Sequence, residues 1–188
     1  MYLAARRARG ITLIELLMTL AVTAILASIA VPAFGTLVHR GQTHSSRNEL
    51  TAALNGARLA AVSRPANVVV CPTRDEQYCG RTTEWQHGWL VFVDADADGE
   101  RDTSEEIVSL GQPQPAGVTI LSSAGRLRVK YHSDGTSPGS NLTLTVCDRG
   151  GFDRPTSIVI NNAGRLRTGP ATPAAASACE RAADQPHA

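Results

Sequence analysis

From Ile11 to Phe34 the sequence carries a single charged residue, Glu15, in an otherwise apolar or small-residue run. A helix of that length is in the range that crosses a bilayer. A polar stretch from His39 to Ser46 follows. Then Leu50, Ala53, Leu54, Ala57, Ala60 and Ala61 recur at spacings of three and four, the period of a helix with one apolar stripe to lay on a globular body. Arg64-Pro65 ends that pattern, because the residue before a proline is biased out of the helical region. Gly35 and Gly41 weaken the middle, so a bend or local melting is expected there. Beyond Pro65 the pattern changes to short apolar or alternating runs between turn residues: Val68–Cys71, Trp89–Val93, Ile107–Leu110, Val118–Leu121, Leu127–Tyr131, Leu142–Cys147 and Ser157–Ile160. They predict seven short strands in antiparallel sheets packed on the helix, an α+β chain. From Gly169 the sequence is rich in alanine and proline and reads as a loose tail tied down only by Cys179.

Charge and cysteines orient this arrangement. Arg6, Arg7 and Arg9 precede the apolar run and no acid does, so the N-terminus is expected in the cytoplasm and everything after Phe34 outside it. The four cysteines, Cys71, Cys79, Cys147 and Cys179, suit an oxidising compartment. They allow three connectivities. The short Cys71/Cys79 spacing favours a local loop, which leaves Cys147 to hold Cys179 and the tail. The division that follows is a membrane or filament-core helix over 11–34, its amphipathic continuation over 35–64, a β-rich head over 65–168 and the tail over 169–188.

Basic residues, then Gly10, then the apolar run is not the order of a secretory signal peptide, whose cleavage site follows its apolar region. A carboxylate within a membrane helix is costly and usually marks function. If the chain is cut after Gly10, Ile11 gains a positive amine four residues from Glu15, its natural partner on the same chain or a neighbour. Gly10-Ile11-Thr12-Leu13-Ile14-Glu15 resembles the prepilin-peptidase site of type IV pilins and type II secretion pseudopilins. The resemblance implies removal of the leader 1–10 by a prepilin peptidase. It also implies N-methylation of Ile11, where phenylalanine is commoner, and Glu15 as the assembly carboxylate. Pro32 matches a helix kink of that family. The implied setting is the bacterial inner membrane, crossed once, and then a pilus built with other pilins or pseudopilins.

Three groups of residues in the head invite chemistry. Asp94, Asp96, Asp98 and Glu105, with Gly99, have the spacing of a calcium loop, although a strand precedes them instead of a helix. The alternative is a solvated acidic turn. Ala124-Gly125-Arg126-Leu127-Arg128 recurs as Ala163-Gly164-Arg165-Leu166-Arg167. On a strand each copy would present two guanidiniums on one side, a fork suited to phosphate oxygens. Arg149 and Arg154 precede the second copy and add to the basic groups there. The five histidines are scattered and no catalytic frame joins the serines, histidines and aspartates, so neither an enzyme nor a cofactor is read. Trp85 and Trp89 read as packing residues.

Val69-Val70-Cys71-Pro72, Gly88-Trp89-Leu90-Val91-Phe92, the acidic turn and Gly164-Arg165-Leu166-Arg167 together resemble the GspH/FimT family of pseudopilins and minor pilins. The FimT side of that family carries a C-terminal Gly-Arg-x-Arg motif implicated in DNA binding during natural transformation. Carried over, it points to Gly164, Arg165 and Arg167. The formal net charge is +1, but loss of the three leader arginines leaves 15 basic residues against 17 acidic ones. Any DNA binding would therefore come from a local patch. The other expectation is a GspH-like subunit with a purely structural role.

Overall fold

The computed structural model describes residues 12–139 and 141–185; the expected cleavage at Gly10 and methylation at Ile11 lie outside them. Helix α1 runs Leu13–Ser63, and the chain divides into two compact units, residues 1–38 and 39–188. In the first unit Thr12 caps the helix. Its hydroxyl accepts from Glu15 N at 3.3 Å, while Glu15 Oε2 accepts from Thr12 N at 3.4 Å. This is the reciprocal box formed when Thr and Glu stand three apart at a helix start. Large apolar residues of this stretch, among them Leu13, Ile14, Ile25, Ile29, Phe34 and Leu37, leave their side chains exposed, and the helix is long and apolar enough to cross a membrane.

The expected local melting does not occur: Gly35 and Gly41 both keep helical conformation. A glycine costs a helix only about 1 kcal/mol, too little to break one with many helix-forming residues on either side. After Ser63 the chain turns through Pro65 into eight strands. They are β1 Asn67–Pro72, β2 Trp89–Asp94, β3 Ile107–Gly111, β4 Val118–Ser122, β5 Val129–Tyr131, β6 Leu142–Asp148, β7 Thr156–Ile160 and β8 Leu166–Pro170. Two antiparallel sheets result, in the orders β3-β2-β1-β5 and β4-β6-β7-β8.

One core joins both sheets to the helix. Leu50, Leu54, Ala57 and Ala61 of α1 meet Val68 and Val70 of β1, Trp89 and Val91 of β2, Ile120 of β4, Leu142 and Leu144 of β6, and Ile158 and Ile160 of β7. Each sheet is also covered on its far face. Val69, Cys71, Leu90 and Phe92 pack with Cys79 and Ile107, where the Cys71–Cys79 disulfide folds a loop back. Burial on both faces explains why β1 reads as an unbroken apolar run. On the other sheet Cys147 is bonded to Cys179, and with Ala183 and Leu121 they form a third cluster.

That cluster corrects the expectation of a loose tail. Strand β8 extends to Pro170, across the expected boundary at 168, and helix α2 follows over Pro173–Ala183. Thr172 accepts from Ala175 N and Pro173 opens the helix. A capping hydroxyl and a proline at the first helical position are strong start signals, and the alanines that looked like tail composition are good helix formers.

Candidate functional site

Each arginine repeat begins at a turn and does not run along a strand throughout: Arg126 N donates to Ser123 O at 3.1 Å before the first, and the 161–164 turn precedes the second. Gly125 and Gly164 both adopt left-handed backbone, with φ of +74° and +71°, the conformation that favours glycine. Ala124–Arg128 lies outside the strands and β5 starts only at Val129, so the expected strand over Leu127 begins two residues late. In the second copy Gly164 N donates to Asn161 O at 2.8 Å and Arg165 N donates to Asn161 Oδ1 at 3.0 Å. This tight connection joins β7 to β8, and β8, which the apolar pattern did not predict, emerges from it.

The consequences for the side chains differ. Arg128 Nη1 donates to the Gly99 carbonyl, and its Nη2 pairs with Glu100 Oε1 at 2.6 Å. Arg126 Nη1 donates to Gly139 O at 2.7 Å. Both guanidiniums of the first copy are thus engaged by the fold, although Arg126 itself stays exposed. In the second copy Arg165 and Arg167 are exposed, and among the described residues no carboxylate pairs with either. Arg167 stands opposite Val159 across the ladder. Val159 is itself 41% exposed, so that face of β8 looks outward. The backbone of Asn161 donates to Arg165 O at 3.2 Å, just before β8 begins.

Gly164 plays a different part from its neighbours. It is buried, and a Cβ there would run into the Gly135 carbonyl oxygen. The same oxygen accepts from Arg58 Nε at 2.8 Å. Gly164 therefore closes the turn against the 132–136 loop instead of facing a ligand, and Arg58 of α1 braces that closure. Arg58 also faces Tyr131, whose hydroxyl is pushed above its ordinary value by burial while the guanidinium acts the other way. Sequence reading missed Arg58, because nothing local marks a side chain that reaches 77 residues ahead. The two weaker candidates part company. Arg149 Nε donates to Ala183 O at 2.8 Å, satisfying the end of α2. Arg154 is exposed at the rim of a groove with His44, Arg47 and Thr168.

In the acidic loop Asp94, Asp96 and Asp98 bring carboxylate oxygens within 4.8 Å of one another. Asp94 Oδ1 accepts from Gly99 N at 3.0 Å, which wraps the loop around the first carboxylate. Lys130 Nζ lies 2.6 Å from Asp94 Oδ2 and donates to Ala97 O at 2.7 Å. An ammonium thus already neutralises the buried carboxylate. Glu105 is turned to the backbone, accepting from Ala95 N at 2.8 Å and Asp102 N at 3.3 Å. The loop is stapled by protein charges, with Arg128 on Glu100 as the second clasp.

The family model for type II transport protein GspH matches residues 46–164, and the prokaryotic N-terminal methylation motif matches residues 5–31. The pilin-like protein PilA1 of Thermus thermophilus is 30% identical over 165 residues, covering 85% of this chain and 97% of that protein. The crystal structure of the type IV minor pilin FimU of Pseudomonas aeruginosa aligns with a TM-score of 0.57 at 23% identity, covering 71% of this chain and 92% of FimU. The minor pseudopilin EpsH of Vibrio cholerae aligns with a TM-score of 0.44 at 12% identity, covering 70% of this chain and 96% of EpsH.

Proposed function

The chain belongs to the GspH family and is a membrane-anchored subunit of the minor pilin and pseudopilin kind, and from that premise we propose that it is a minor type IV pilin whose head captures DNA through Arg165 and Arg167. In this reading prepilin peptidase removes residues 1–10, and Ile11 is N-methylated. The helix leaves the inner membrane for a pilus, with Glu15 meeting the new amine of a neighbouring subunit. The Thr12 box already orders the backbone around that carboxylate, so the group is held at the helix start before any partner arrives. Capture of DNA at the cell surface would serve uptake in natural transformation.

The observation that carries the DNA reading is the difference between the two repeats. Arg128 of the first pairs with Glu100, while the two guanidiniums of the second, at the start of an edge strand, are exposed and among the described residues pair with no carboxylate. Such a site holds phosphates without reading bases, and few contacts per subunit make each head a weak binder that gains from repetition along a filament. The match to a type II transport family favours a second reading, in which the subunit primes or caps a filament and the arginines are merely solvated. A gel-shift titration of the full-length protein in nonionic detergent with duplex DNA separates them. Arg165→Ala with Arg167→Ala should abolish the shift. An undiminished shift removes the site, and no shift by the unmodified protein leaves the structural reading.

A further inference from the structure

Arg165 and Arg167, at the start of β8, are not the only basic groups on that side of the head. Arg40, Arg47 and Arg58 of α1 are 7 and 11 residues apart, and at 3.6 residues per turn these intervals return all three to one flank of the helix, within about 20°. That flank faces the β8 side of the head. Arg40 Nε donates to Phe152 O at 2.7 Å, and Arg58 Nε reaches Gly135, beside the Gly164 turn. Between them Arg47 lines a groove of about 590 Å³ with His44, Asn48, Arg154, Thr156 and Thr168. Asp153, which also lines it, is engaged by His44 Nε2 at 3.4 Å, and His44 Nδ1 accepts from Arg47 Nη2 at 2.7 Å. Among the described residues neither Arg47 nor Arg154 pairs with a carboxylate, whereas Arg64, Arg74 and Arg128 each do.

We propose that this groove is a second phosphate subsite, and that a DNA backbone held by Arg165 and Arg167 continues along the edge of β8 to Arg47 and Arg154. The proposal rests on the DNA reading above. Three features favour a polyanion over a single small anion. The groove offers two separate guanidiniums together with the amide of Asn48 and the hydroxyl of Thr168, all able to donate to phosphate oxygens, while the Thr156 hydroxyl is given to Arg154 O. Strand β8 is the last in its sheet, so no further strand pairs with its outer edge. At about 3.3 Å per residue the strand measures some 16 Å. Duplex DNA carries a charge every ~1.7 Å of axis, so a length of DNA matching the strand presents several phosphates to the four arginines, and a lone phosphate can engage only one end. Arg58 acts here as a positioning residue, holding the loop that seats the Gly164 turn.

Fluorescence anisotropy of a labelled mixed-sequence duplex with the full-length protein in nonionic detergent, from about 50 to 200 mM salt, is the test. Each phosphate contact contributes roughly 0.9 to the slope of log affinity against log salt. Arg47→Gln with Arg154→Gln should therefore flatten the slope by about 1.8. Over that fourfold change in salt the unmodified protein should lose about 12-fold more affinity than the variant. Arg47→Lys with Arg154→Lys should keep the steep slope, because the charges remain. An unchanged slope in the glutamine variant, with binding by the unmodified protein intact, overturns the second subsite and leaves the β8 site standing. A slope flattened equally in the lysine variant also overturns it, since the effect would then follow from lost packing. Failure of the unmodified protein to bind at the lowest salt removes both readings.

Discussion

Gly125 and Gly164 offer a controlled comparison, because the same pentapeptide places a left-handed glycine in two settings. Alanine at either position must adopt left-handed backbone, at roughly 1–2 kcal/mol. At Gly125 no atom lies within 4 Å of the position a Cβ would take, so Gly125→Ala should show that strain alone. At Gly164 the Cβ would collide with the Gly135 carbonyl and come within 3.1 Å of Arg58 Nε. The carbonyl cannot yield freely, since it accepts from Arg58 and its own residue donates to His132 O at 2.8 Å. Overpacking of this kind adds about 1–3 kcal/mol, giving roughly 2–5 kcal/mol in total for Gly164→Ala. Residues 39–188 form a compact unit with its own core, so urea unfolding of that segment is a suitable assay. Trp85 and Trp89, both buried, would report it by fluorescence. Equal losses for the two variants would refute the argument that the second turn is closed against its neighbour. Gly164→Ala should also weaken DNA binding by displacing Arg165, and Gly125→Ala should not.

Replacing Cys147 and Cys179 by serine opens a link of sequence separation 32 and should cost about 3–4 kcal/mol by loop entropy; proteolysis should then reach α2 first, and an α2 that stays protected would contradict its dependence on the bond. The backbone N–H groups of Tyr78 and Gln77 hold Asp75 below the ordinary carboxylate range, and the Ser104 and Thr136 hydroxyls do the same for Asp102 and Asp134. A lowered folded value means the unfolded chain takes up protons first as pH falls. Their stabilisation is thus complete above about pH 4 and disappears as pH drops through the folded values; Asp75→Asn should make the acid limb of a stability–pH curve shallower, and an unaltered limb would count against it. Calcium should leave the melting temperature unchanged because Lys130 already sits on Asp94, whereas Lys130→Met should lower it in calcium-free buffer; a clear rise of the unmodified protein with calcium would refute the lysine clasp.

Features that depend on short-range periodicity were legible in the sequence: the amphipathic stripe of α1, the apolar run of β1, and the strands that hide Trp89 or Leu144. What escaped has a common physical origin. Strand β8 reads Leu-Arg-Thr-Gly-Pro and buries almost nothing itself; it exists because Asn161 and Gly164 turn the chain back onto β7, so its signal is turn chemistry and not hydrophobicity. Helix α2 was hidden by alanines and prolines that resemble a linker until Thr172 and Pro173 are recognised as a start and Cys179 as an anchor. The Thr12–Glu15 box was present in plain sequence but was overshadowed by the reading of Glu15 as a membrane carboxylate. The candidate site shows the same division. Arg165 and Arg167 could be singled out from a motif, while the different fates of the two repeats depended on what stood across from them.

That difference follows from where the acids are. Ten of the 17 acidic residues fall between Asp75 and Glu106, on the loops around β2 and β3. The bases drawn to them are Arg64, Arg74, Arg128 and Lys130. The sequence holds one lysine among its 18 basic residues, and it is the group set against the buried Asp94, where a compact ammonium with rotatable donors fits a site that a planar fork does not. From Arg149 to Pro170, by contrast, Asp153 is the only acid, and His44 engages it. A chain with nearly balanced formal charge can therefore keep a basic edge. Asp94, Glu84, Glu100 and Glu106 are paired locally on the acidic side, and among the described residues Arg47, Arg154, Arg165 and Arg167, whose geometry suits phosphate, pair with no carboxylate.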